Sequence, residues 1–180
     1  MPPGYRFLPD PNDVARAVLS KSTWAVLGLT LHIELFTLTH YKQSIEPDAS
    51  ISPLFKDVLR FHWLEESQHA VLDELEWRRS DAAIDAHERE RGVTELIELV
   101  AAVDGMLQVQ AAADAEYFLA VLERKLAPSE AAQVSATILA AYRHQYIASG
   151  IRDTRFVEVL RSLITTADFE RILQALAPLL

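Results

Sequence analysis

The stretch "FHWLEESQHAVLDELEW" (residues 61–77) reads with a helical period of 3.6. His62, Glu66, His69 and Asp73 then share one stripe, at steps of four, three and four. Leu64, Val71 and Leu75 lie to its sides, and Phe61 and Leu72 continue the apolar face beside it. A bundle helix ordinarily carries leucine where this one carries two imidazoles and two carboxylates. Such a stripe faces its neighbours profitably only if they bring matching polar groups or share an ion with it.

The 180-residue chain fits a single domain, residues 1–180, large enough to bury a substantial core. Half of it is hydrophobic and cysteine is absent, so disulfides and thiolate metal sites are ruled out and a cytoplasmic home is expected. A net charge of −9 argues against nucleic acid or an anionic membrane as partner. The longest apolar run, "WAVLGLTLHIELF" (24–36), contains His32 and Glu34 and is too short to span a bilayer. "MPPGYRFLPDPND" reads as an irregular arm rather than a leader.

The expected architecture is all-α. Asn12 or Asp13 caps a first helix that runs to about Ile45, where "EPDASISP" interrupts it with two prolines. A second helix spans about Leu54 to Arg79, and "SDAAIDAHERERG" (80–92) reads as a polar connector, helical in part. A third runs from about Val93 to Leu126, with Leu96, Val100, Leu107, Gln110, Asp114 and Phe118 on its inner stripe. Pro128 and Ser129 stop it and start a fourth, which closes at Gly150. Two short helices follow, near Thr154–Ile164 and Thr166–Leu176. Four long helices in two hairpins predict a four-helix bundle over about residues 12–150, with the short C-terminal pair at about 154–176.

A Glu-x-x-His spacing is weak by itself, since helices are full of solvated Glu. Glu34 strengthens it, because it sits among Leu27, Leu31, Leu35 and Leu38 on an apolar face, where an unpaired carboxylate is costly. Glu34 and Glu66 also lie about 16 residues either side of the first hairpin tip, or roughly 24 Å at 1.5 Å per residue. In the second hairpin, Asp114 and His144 lie at similar distances from a tip near Pro128. The expectation is that Glu34, Glu66, His69, Asp114 and His144 converge as metal ligands. His62 and Asp73 stand behind them, with Asp73 accepting the free N–H of His69, and Glu65 is a neighbouring substitute for Glu66. Carboxylate and imidazole without thiolate suit iron, manganese or zinc. His32, His40 and His87 read as core or surface filler, and Tyr41, Trp63 and Tyr142 as packing residues.

This constellation resembles the ferritin-like dinuclear-iron carboxylate superfamily, with "EESQH" its most specific part. The resemblance covers about residues 12–150 and implies a ferritin-like four-helix bundle. It makes Glu34 the lone carboxylate of the first helix, Glu66 and His69 the first Glu-x-x-His, Asp114 the third helix's carboxylate, and His144 the second motif's histidine. Residues 80–92 would then be a long crossover. The pattern departs at Ala141, which stands three residues before His144 where the second motif has its Glu, and at Asp114, with Glu116 as an alternative. The resemblance implies an iron (or manganese) oxidoreductase using dioxygen or peroxide, with one or two ions per chain, a small-molecule substrate and a homodimer as assembly. A metal-dependent hydrolase, and a non-enzymatic binding or storage module with a degenerate site, are the alternatives.

Overall fold

The computed structural model describes residues 2–180, and among them every regular element is helical. The first helix, α1, is short, Pro11–Leu19, with Asp10 accepting the Asn12 N–H at 2.7 Å and Pro11 in its first turn. The chain then breaks at "SKS". The Ser20 hydroxyl bonds back to the Ala17 carbonyl, and Ser22 caps α2, Thr23–His40. The single helix expected up to Ile45 is therefore two, because serine side chains compete locally for backbone groups. α2 runs on into a wide π turn, Tyr41–Ile45, closed by Glu46 N–H donating to the Tyr41 carbonyl at 2.8 Å.

Ser52 caps α3, Pro53–Asp81. α4 spans Ala86–Val121. Asp85 and Glu88 form a reciprocal capping box, at 2.8 and 3.0 Å, that starts α4 well before Val93. The connector over residues 80–92 is thus a tight turn followed by helix, not a crossover. α5 (Pro128–Arg143) continues through a second π turn, His144–Ala148, into the short α6, Ser149–Ile151. Asp153 and Thr165 cap α7 (Thr154–Leu163) and α8 (Thr166–Leu176), close to the expected C-terminal pair.

α2 is the centre of the molecule. Trp24, Ala25, Leu31 and Leu35 are buried on it, and the Trp24 and Trp77 rings meet edge to face at 5.0 Å. α3 packs along α2, α4 joins α2 from another side, and α5 packs along α4. Nothing comparable joins α3 to α4 or α5 among the described residues. The two hairpins therefore meet through α2 and α4 in the order α3–α2–α4–α5. α6, α7 and α8 pack against this layer, bringing Phe156, Leu160, Ile172 and Leu176 into the core. α4 is long and apolar enough to cross a membrane by length and composition, a property that core helices share. Here its Val93, Leu96, Leu99 and Val100 are buried in the core.

Candidate metal centre

α2 and α3 lie side by side, so a residue on the α3-facing side of α2 meets the stripe on α3. Glu34 does so. One ligand atom from each of Glu34, Glu66 and His69 lies within 4.8 Å of the other two. The i, i+3 spacing puts Glu66 and His69 one turn apart, and the His69 imidazole donates from Nδ1 to Glu66 Oε2 at 2.7 Å. His62 Nδ1 lies 3.2 Å from the other oxygen, Oε1. Glu66 is thus held between two imidazoles. Its side chain is 15% exposed, against 49% for His62 and 47% for His69. The carboxylates face inward and the histidines form the solvent rim.

The electrostatics follow from that placement. Burial pushes Glu34 up to about 7, and proton sharing with Glu66 and the nearby Asp73 charge add to the shift. Burial pushes Glu66 the same way, but hydrogen bonds from Glu34 and His69, with the His62 and His69 charges, hold it below the usual carboxylate range. The hydrogen bond to Glu66 raises His69. Asp73 is raised by burial and feels the His69 charge, but no hydrogen bond joins the two among the described residues. Glu65 is exposed and acts on His69 only through its charge. Two oxygens and a nitrogen form a donor set that fits iron or manganese.

Asp114 and His144 stand elsewhere. Asp114 accepts from the Gln110 amide at 2.8 Å and from the Tyr142 hydroxyl. Gln110 in turn accepts the Leu8 N–H at 3.0 Å and donates to the Arg6 carbonyl at 3.1 Å and to Tyr5 Oη at 3.3 Å. Asp114 thus belongs to a network that pins the N-terminal arm to α4 and α5. His144 and Ala141 are exposed, and Glu116 pairs at the surface with Arg6. The five-residue convergence fails because α4 is flanked by α2 and α5 and its polar stripe never faces α3. Equal distance from a hairpin tip aligns residues within one hairpin; it says nothing of how two hairpins are joined.

A feature the sequence did not announce lies beside the cluster. A cavity of about 230 Å³ is walled by Phe36, Tyr41, Trp63 and Tyr146, with His40 and His62 on its lining. His62 therefore touches both the carboxylate cluster and the cavity. The His40 Nδ1 atom is buried without a hydrogen-bond partner among the described residues, and the Lys42 ammonium sits 4.5 Å from the Trp63 ring centre. The aromatic residues around "THYKQ" were the available signal, but nothing local shows that packing residues will leave a gap. His32, by contrast, is a core residue: burial pushes it down to about 4, and neutral, it donates from Nε2 to the Tyr146 carbonyl at 3.1 Å.

No protein-family model, curated protein or solved structure matches this chain. Its function is read from its own side chains.

Proposed function

We propose that the chain binds one iron or manganese ion at Glu34, Glu66 and His69 and serves as an oxidoreductase acting with dioxygen or peroxide on a small molecule. The observation that carries this reading is the approach of three ligand atoms within 4.8 Å, two of them carboxylate oxygens whose closeness, with burial, pushes Glu34 up to about 7. A purely structural cluster would gain nothing from two carboxylates packed against each other at the edge of a core. On this reading the ferritin-like pattern is present in its first half, one lone carboxylate and one Glu-x-x-His. The second half, Asp114 and His144, is committed to the arm or to solvent, so one ion is proposed rather than two.

A bound ion of this class supplies electron transfer to dioxygen or peroxide. The chain's residues do the rest. Glu34 releases its proton when it ligates, and His62 fixes the orientation of Glu66 through Oε1. The aromatic walls beside His62 offer an apolar surface to a molecule about the size of a single ring.

Titration of iron(II), anaerobically, or manganese(II) into chelator-treated protein tests the reading. The expected result is one tight equivalent per chain, reduced at least tenfold by Glu66→Gln and by His69→Ala. Equal affinity in wild type and Glu66→Gln would overturn it. Tight binding without oxidation of bound iron(II) by dioxygen or peroxide would leave a metal-binding module and remove the oxidoreductase.

A further inference from the structure

α3 is buried along one side only. Ala70 and Trp77 face the core. The outward side carries Leu54, Val58 and Phe61 in its first half and Val71, Leu72 and Leu75 in its second, all exposed, Phe61 by 66% and Leu72 by 61%. With successive residues 100° apart, these six fall within an arc of about 140°. A monomeric soluble protein rarely leaves a contiguous apolar patch beyond ~300–600 Å². These six side chains, with the neighbouring Leu64, are each exposed by two-fifths or more, and together they approach the ~800 Å² per partner of a standard interface.

Two features of the face say what covers it: its extent, which is that of half a standard interface, and the placing of its aliphatic residues. Leu54 and Leu75 are equidistant in sequence from the point between Leu64 and Glu65, and so are Val58 and Val71. A second α3 laid antiparallel across that point sets Leu54 against Leu75 and Val58 against Val71, so apolar groups meet at both ends of the face. In a two-fold interface each of these contacts is made twice.

We propose that the chain forms a two-fold symmetric homodimer through the outward face of α3, the two α3 helices running antiparallel. The dimer stands on apolar area and symmetry and does not depend on the metal reading.

Analytical ultracentrifugation in chelator, across micromolar concentrations, tests it. Wild type should sediment at twice the 20.2 kDa chain mass. The double substitution Val58→Lys and Leu72→Lys, at sites exposed in the single chain, should sediment at one chain mass with unchanged helical circular dichroism. The absence of cysteine allows a direct check of orientation. Oxidised mixtures of Leu54→Cys and Leu75→Cys protein should give 54–75 cross-links in preference to 54–54 or 75–75. A monomeric wild type, a dimer that survives the double substitution, or preferred 54–54 cross-linking would each overturn the proposal. Metal titration of the double variant separates the two readings, since it retains Glu34, Glu66 and His69. Its binding bears only on the metal, and its mass only on the dimer.

Discussion

Glu34 is the residue on which the candidate site turns. Its ordinary carboxyl value is near 4.5 and its folded value about 7, so the folded chain holds a proton that the unfolded chain releases. Its penalty is therefore absent below about 4.5 and complete above about 7, and stability is lost as pH rises through that window. Glu34→Gln keeps a donor for Glu66 and removes the titration. In chelator, the variant should be more stable than wild type at pH 8 by urea denaturation, with the advantage shrinking towards pH 5. A difference independent of pH would mean that Glu34 does not hold the proton. The same proton competes with metal, so affinity for manganese(II) should fall about tenfold per pH unit below 7, as calorimetry would show. Glu34 was legible because a carboxylate among leucines is costly. The proton it shares was not, because sharing depends on Glu66 arriving from α3.

At the scale of the helices, contacts between elements are set by small residues and by ion pairs. A Cβ on Gly28 would stand 2.8 Å from the fully buried Trp77 ring, whereas one on Gly105, also mid-helix, would meet nothing within 4 Å. Gly28→Ala should therefore cost about 1–3 kcal/mol by overpacking. Gly105→Ala should gain about 0.5–1 kcal/mol through helix propensity. Thermal melts of the pair give opposite signs if α3 packs on α2 as described. Asp104 makes the corresponding tie between α4 and α5, accepting from Arg143 at 2.6 and 2.9 Å with its carboxylate buried. Asp104→Ala leaves the guanidinium unpaired and should cost about 3 kcal/mol in chemical denaturation. Helix starts were readable where a proline marks the first turn, at Pro53 and Pro128. They were misread at Asp85, where a long polar stretch masked a capping box.

Across the whole molecule, the two polar clusters are separate devices. Glu34–Glu66–His69 lies between α2 and α3; Tyr5–Gln110–Asp114–Tyr142 clamps the arm to α4 and α5. Gln110→Leu removes the arm's hydrogen bonds at Leu8 and Arg6, so limited proteolysis should cut within residues 2–10 faster than in wild type. Manganese(II) affinity should be unchanged. A matched loss of metal binding would mean that the clusters communicate, contrary to their placement.

The sequence by itself determined the all-helical class, several of the helix ends, and the pairing of Glu66 with His69. Each of these is fixed within a few residues by backbone hydrogen bonding and the 3.6-residue period. Glu34 was identified because burial of a charge is costly wherever it occurs along an apolar face. Tertiary structure decided which faces meet. Asp114 has the same spacing and polarity as a ligand, yet it serves the arm because α4 packs between α2 and α5. The leucines of α3 read as core, yet those on its outward face are exposed, because α2 covers only one side of that helix. Periodicity specifies that a helix has a face to bury; only the packing of other elements specifies against what.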